Sequence, residues 1–234
     1  MPERCDDPRI ASGMAAQLGA LRARRAAGAV SLGWKVGFGA PAALKRFNLE
    51  APLVGFLLDS AQVASGATVS LAGWTQPVAE PEIGVFMGHD LRAGATREEA
   101  RHAVAALAAC IELADLDRAP EDVAAILAGN IYQRHVILGE RDATRAGCRL
   151  DGLLARIVRN GEEIAATADP QALTGNYVDI VRHVADVLDA FGERLRAGHV
   201  IITGSVIPPL FVNAGETLEF DLQPVGRVVA RFAG

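Results

Sequence analysis

The stretch Val78-Ala79-Glu80-Pro81-Glu82-Ile83-Gly84-Val85-Phe86-Met87 is apolar along its length except at two glutamates. Read as a strand, it puts the side chains of 78, 80, 82, 84 and 86 on one face, with Glu80 and Glu82 side by side, about 7 Å apart at Cα. The other face carries Ala79, Pro81, Ile83, Val85 and Met87. A strand apolar on both faces is a buried one, and carboxylates that close repel in a low-dielectric setting. They demand a positive group between them. A third acid has similar surroundings: Glu112 lies within Ala108-Ala109-Cys110-Ile111-Glu112-Leu113-Ala114, where a solvated charge is out of place. Three acids in apolar strands point to a bound cation. All-oxygen donors without a paired histidine or cysteine select a hard ion, magnesium first and manganese second. A water-facing strand with an E-x-E pair has the same spacing, so spacing alone does not separate the two readings.

Outward from this strand the chain alternates short elements. Asp7 followed by Pro8 reads as a helix cap, and Ile10, Met14, Leu18 and Leu21 continue at helical spacing to about Arg25. Ser31–Gly37 and Leu53–Leu58 read as strands flanking a short helix at Pro41–Phe47, and residues 68–71 as a further strand. Thr96 with Glu99 forms a capping box ahead of an alanine-rich stretch, 100–109, expected to be helical and to give way to a strand over 110–116. Residues 120–128 read as a short helix and 134–139 as a strand. Residues 153–164 read as a hairpin around Asn160-Gly161. A helix over 177–191 stops at Gly192, and strands at 200–203, 217–222 and 227–232 close the chain. With few regular strand-helix-strand units, this order predicts an α+β fold around a mixed, much-bent sheet. A helical segment, 1–30, is expected to precede a single globular unit, 31–234.

Half of the 234 residues are hydrophobic and 22% are charged, which excludes a disordered chain. No run reaches the roughly 18 uncharged apolar residues of a spanning helix, so no membrane is expected. The first 25 residues are broken by Asp6, Asp7, Gln17 and the arginines at 9, 22, 24 and 25, which leaves no signal-peptide core and makes the cytoplasm the expected compartment. Cys5, Cys110 and Cys148 are too widely spaced for a zinc ribbon, and their odd number gives no disulfide framework. A net charge of −5 with dispersed arginines offers no stripe for nucleic acid. Gly37-Phe38-Gly39 lacks the remainder of a phosphate-binding motif.

Among the basic residues, lysine is rare: Lys35 and Lys45 stand against 21 arginines. Lys35 sits in Leu32-Gly33-Trp34-Lys35-Val36-Gly37, an apolar setting in which an ammonium acts as base, acid or carboxylate anchor. Lys45, beside Arg46 in a helical stretch, reads as solvated. His135 is the histidine kept as a pocket candidate, and Arg134 beside it is suited to holding a substrate carboxylate.

Gly33-Trp34-Lys35-Val36-Gly37, Glu80-Pro81-Glu82-Ile83, Ile111-Glu112-Leu113-Ala114-Asp115, Ile202-Thr203-Gly204 and Val212-Asn213-Ala214-Gly215-Glu216 follow one another along nearly the whole chain. In this order they resemble the bacterial 2-keto-4-pentenoate hydratases and 4-oxalocrotonate decarboxylases of the fumarylacetoacetate hydrolase superfamily. The resemblance implies a mixed β-roll with flanking helices and a homo-oligomer. It implies that Glu80, Glu82 and Glu112 hold magnesium and that Lys35 is an active-site lysine. Asn130 and Thr203, in matching segments, join Arg134 and His135 as expected substrate contacts. The implied substrate is a small 2-oxo or 2-hydroxydienoic acid of aromatic meta-cleavage. Hydration is the first implied reaction and decarboxylation the second; an acylpyruvate-type carbon–carbon hydrolase and a noncatalytic metal-binding homologue are further alternatives. Three positions depart from the family pattern: Leu53 replaces the Asp of a P-D-F-G segment, Tyr132 the Ser of D-N-x-S, and Gly39 the Thr of K-x-G-x-T.

Overall fold

Asp7 and Pro8 open the first helix as their order predicts. The Asp7 side chain accepts the Arg9 N–H, proline occupies the first turn, and α1 runs Pro8–Ala26. The computed structural model describes residues 6–118 and 122–234. After α1 come β1 (Ser31–Gly37), α2 (Pro41–Phe47), β2 (Leu53–Leu58), β3 (Thr68–Ser70), β4 (Pro77–Met87), α3 (Arg97–Ala103) and β5 (Val104–Asp115). The second half holds α4 (Val123–Ala128), β6 (Gln133–Leu138), β7 (Leu154–Arg159), β8 (Glu162–Thr167) and α5 (Tyr177–Ala190). It ends with β9 (Val200–Ser205), β10 (Leu210–Phe211), β11 (Thr217–Gln223) and β12 (Gly226–Ala233). The α+β class, the capping box at Thr96 and the hairpin at Asn160-Gly161 are all present, both turn residues at positive φ.

The larger sheet has the order β2-β1-β9-β4-β5-β6, with β10 added to β4. Among the described residues, only β1 and β9 run parallel within it. Beyond β2, Gln62 bridges to Val136 of β6, and the Val63 N–H donates to the Val136 carbonyl at 2.9 Å. The two ends of the sheet thereby meet, and the sheet is a roll. Around Glu80, Glu82 and Glu112, the face it encloses is built largely of small or slender apolar side chains, among them Leu57, Ala106, Ala108, Cys110 and Ile202. The outer face of β5 and β6 packs on the second sheet, β3-β12-β11-β7-β8, through the buried side chains of Phe220, Val228 and Ala230. Helix α5 lies against β1 and β9, and α1 packs on α4. Among the described residues no helix is long and apolar enough to cross a membrane.

The sequence reading departs from the structure at the alanine-rich stretch. Helix α3 ends at Ala103 and residues 104–109 are strand, paired with β4 so that Ala106 faces Phe86, Ala108 faces Gly84 and Ala109 faces Ile83. Alanine's helical propensity amounts to only tenths of a kcal/mol per residue, and a complete ladder with burial on both faces outweighs it. The short pairing of β10 with β4 was not expected. Part of the helix expected at 120–128, together with Cys5, lies outside the described residues; the described helix is Val123–Ala128.

Closure of the roll between β1 and β9 depends on Gly33, at φ 149° beside a register shift. A Cβ there would lie 2.0 Å from the Val200 carbonyl oxygen. Gly33→Ala is expected to lower unfolding free energy by more than about 3 kcal/mol, because backbone strain and a backbone clash combine. Urea unfolding that matches wild type would refute this.

Candidate metal centre

Glu80 and Glu112 stand directly opposite each other in the β4–β5 ladder, and Glu82 follows two residues along β4 on the same face. The flanking pairs Ala79↔Leu113, Pro81↔Ile111 and Ile83↔Ala109 are apolar and turn to the other face. A one-residue slip would exchange the two faces, so the core holds the acids in register. One carboxylate oxygen from each of Glu80, Glu82 and Glu112 lies within 4.8 Å of the others. Glu82 and Glu112 are each 1% exposed, whereas Glu80 is partly open.

Few groups balance this charge. Lys35, 1% exposed, donates its ammonium to Glu112 Oε1 and to the Ile131 carbonyl at 3.0 Å. The Gly204 N–H donates to Glu82 Oε2 at 2.7 Å, from a left-handed residue at φ 92°. Burial pushes the Glu82 carboxyl well above the usual range; Glu112 and Glu80 add to this, while Lys35 and the Gly204 N–H oppose it. Burial likewise pushes Glu112 up to about 7 against the pull of Lys35. Glu80 is raised by burial and lowered by Lys35. Three ionised carboxylates and one ammonium leave a double negative charge, which one divalent cation cancels. The donor set is all oxygen, as hard cations prefer. Beside it, the Cys110 thiol donates to the Glu82 carbonyl oxygen at 3.2 Å, and burial followed by Glu82 and Glu112 raises its pKa well above the ordinary value. It stays a thiol.

Of the other expected residues, Thr203 flanks Gly204 and its hydroxyl donates to the Ile83 carbonyl at 2.9 Å. Asn130 lies under Lys35, with both amide atoms committed to the backbone of Phe56. Arg134 and His135 are not brought to the glutamates. His135 pairs with Leu113, and Glu112 with Val136, so the pleat turns the imidazole to the opposite face, where it stacks on Trp74 at 5.9 Å between centroids. Arg134 falls in the register shift beside that pair and binds Asp115 and Asp117 at 3.2 and 3.0 Å. Sequence reasoning missed the roles of the Gly204 N–H and the Ile131 carbonyl, since backbone donors and acceptors leave no residue-type signal. Among the family departures, Leu53 pairs with Gly37 two residue pairs along from Lys35↔Gly55, and is buried. The Tyr132 hydroxyl donates to the Arg118 carbonyl at 3.2 Å.

Residues 35–233 match the family model described as Fumarylacetoacetate (FAA) hydrolase C-terminal. The chain is 30% identical over 217 residues to a 2-hydroxyhexa-2,4-dienoate hydratase of Comamonas testosteroni, covering 91% of this chain and 82% of the relative. Among solved structures it superposes on the 4-oxalocrotonate decarboxylase from Pseudomonas putida G7 complexed with magnesium and adipate, with a TM-score of 0.87 at 26% identity over 95% of this chain and 85% of that one. The same enzyme complexed with calcium and acetate gives a TM-score of 0.86 at 27% identity, with the same coverage.

Calorimetric titration with magnesium or manganese should find one site per chain. Glu82→Gln should weaken it by at least about 100-fold, since even outer partners of metal ligands cost 10- to 100-fold. Unchanged affinity in all three Gln variants would contradict the site. Because folding raises the carboxyl pKa values and a cation requires ionised ligands, binding should release protons near neutral pH and tighten as pH rises through about 7. Titrations in buffers of different ionisation enthalpy check the sign; proton uptake would contradict it.

Proposed function

The chain belongs to the fumarylacetoacetate hydrolase family, and within it we propose that it is a magnesium-dependent lyase of small 2-oxo or 2-hydroxydienoic acids, in the first place a 2-keto-4-pentenoate hydratase. The observation that carries this reading is the buried three-glutamate cluster with its double negative charge. The similarity to a dienoate hydratase and to a decarboxylase complexed with magnesium supports it. Glu80, Glu82 and Glu112 would hold the ion, and manganese suits the same donors. Bound there, the ion supplies Lewis acidity toward the carboxylate and 2-oxygen of a 2-oxo acid and takes up the negative charge that develops on that oxygen.

The chain's own groups handle orientation and protons. The Gly204 N–H fixes one oxygen of Glu82 and leaves the other available to a cation. Among the described residues Lys35 Nζ has two acceptors, so one of its three N–H groups remains for a substrate oxygen or a proton relay. Burial of Lys35, Glu82 and Glu112 keeps water away, which strengthens each electrostatic contact with developing charge. We assign catalysis to the unit 31–234, with 1–30 as its flanking helical segment. We place the enzyme as a cytoplasmic homo-oligomer in aromatic catabolism.

The second reading is a 4-oxalocrotonate decarboxylase, favoured by Leu53. Its place in the register, two residue pairs from Lys35↔Gly55, is where hydratases of this kind often carry an acid. Adding water requires a positioned water, whereas releasing carbon dioxide requires none. A carbon–carbon hydrolase needs a base to activate water, and His135, the histidine kept as a pocket candidate, lies on the far face of β6.

Turnover of 2-hydroxypenta-2,4-dienoate, 4-oxalocrotonate and acylpyruvates should show lyase activity on one of the first two; inactivity on all three would favour a noncatalytic homologue. Leu53→Asp should raise the ratio of hydration to decarboxylation about tenfold, a single positioned acid–base group being worth at least that much. No change would show that position 53 does not direct the outcome. Lys35→Met should lose about 100-fold or more in kcat while binding the divalent ion more tightly, because one opposing positive charge is gone. Full activity in that variant would remove Lys35 from the mechanism.

A further inference from the structure

Two glycines hollow the β1–β2 pair around Lys35, and the segment after α4 fills the hollow. A Cβ at Gly55 would lie 2.9 Å from Asn130 Oδ1 and 2.9 Å from Lys35 Cγ; one at Gly37 would lie 2.8 Å from Ile131 Cγ2. Into this socket the chain drops three consecutive left-handed residues, Asn130 at φ 57°, Ile131 at 52° and Tyr132 at 62°. Asparagine tolerates that region, but a β-branched isoleucine adopts it only when its surroundings impose it. Backbone bonds impose part of it. The Asn130 N–H donates to the Leu127 carbonyl and the Ile131 N–H to the Ile126 carbonyl, both at 2.8 Å, and the Tyr132 carbonyl accepts the Asp115 N–H at 3.0 Å.

The Asn130 side chain supplies the link to β2. Its Oδ1 accepts the Phe56 N–H at 2.8 Å and its Nδ2 donates to the Phe56 carbonyl at 2.9 Å. β2 ends the ladder order of its sheet, so this amide stands where the peptide of a further strand would be. The outcome is a fixed Ile131 carbonyl, 3.0 Å from Lys35 Nζ. An ammonium on a four-carbon stem has wide rotamer freedom, and two acceptors on separate elements, Glu112 and Ile131, remove most of it.

We infer that Asn130 is a positioning residue: by clamping Phe56 it holds the left-handed turn whose Ile131 carbonyl aims Lys35, and it makes no contact with the substrate. This rests on the assignment of Lys35 to turnover, and it replaces the substrate-contact role expected of Asn130 from its sequence. Aspartate is the discriminating substitution. It keeps the shape and the acceptor but sets a carboxylate oxygen against the Phe56 carbonyl, which opens the clamp.

The chain has two lysines, so the ammonium and Cε resonances of Lys35 are separable from those of the exposed Lys45 by a Lys45→Arg control. In metal-free wild type, the Asn130 side-chain amide protons should exchange slowly and stay in place on adding magnesium and pyruvate. In Asn130→Asp and Asn130→Ala, the Lys35 resonances should move toward those of Lys45. With magnesium and substrate, kcat should fall about tenfold or more while KM stays within about threefold. Asn130 amide resonances that shift with pyruvate would overturn the inference, as would variants with unmoved Lys35 resonances or a raised KM at constant kcat. The wild-type measurement decides even if both variants fail to fold. The Lys35 resonances report on positioning even if Lys35→Met proves fully active, which would refute only the functional assignment.

Discussion

Three carboxylates confined within 4.8 Å of one another, two of them sealed from water, are the constraint around which the roll is arranged. At an effective dielectric of about 20, each pair of unit charges at that separation repels by on the order of 3 kcal/mol, and three acids make three such pairs. Lys35 offsets part of this. The remainder is relieved when protons stay on the acids, which is why burial and mutual repulsion raise Glu82 and Glu112. A cation relieves it more completely. Were the cluster there for stability, a single Lys35–Glu112 pair or plain apolar packing would serve better, since buried charges seldom exceed well-packed hydrophobic residues in net stabilisation. The surplus of acids over bases is therefore a mark of function.

The fold keeps that surplus in place with rigid elements. Glu80 and Glu82 belong to β4, which has β9, β5 and β10 as neighbours, so the acids sit on a strand held from both sides. The roll interior is lined with alanines, Cys110 and Gly84, which lets strands close around a narrow space, while the second sheet covers the convex side of β5. Close approach requires glycine at a few points. Gly33 touches the Val200 backbone, Gly55 makes room for Lys35 and Asn130, and Gly204 aims an N–H at Glu82.

Local and periodic features were legible in the sequence. The cap at Asp7 and Pro8, the Thr96 capping box, the Asn160-Gly161 turn and the apolar strand with its two glutamates each carry their signal within a few residues. What stayed hidden depends on partners distant in sequence. The alanines of 104–109 became strand because β4 offered a ladder, and no local preference announces that. Arg134 and His135 looked like pocket residues by type, but a register shift and the pleat direct them to Asp115, Asp117 and Trp74. The hydrogen bonds that fix Lys35 and Glu82 come from Ile131 and Gly204, through backbone atoms that any residue possesses.

The departures from the family pattern fall outside the cluster. Leu53 lies two residue pairs from Lys35↔Gly55, and Tyr132 directs its hydroxyl to Arg118, while the glutamates, the lysine and the Gly204 N–H remain together. Water addition and loss of carbon dioxide share one requirement, relief of negative charge developing at the 2-oxygen, which the cluster with its cation would meet on the proposed reading. They differ at the distal carbons of the chain: addition requires a water and a proton delivered there, whereas loss of carbon dioxide leaves its bonding pair in the dienolate and requires neither. A protein that retains the common requirement and alters residues beside it changes the second without disturbing the first. On the proposed reading, selectivity between the two reactions would reside in groups that never touch the ion. The most informative residues for the choice are accordingly Leu53, Tyr132 and the left-handed turn beneath Lys35, where the chain departs from the pattern that the resemblance implies or bends its own backbone out of the ordinary regions.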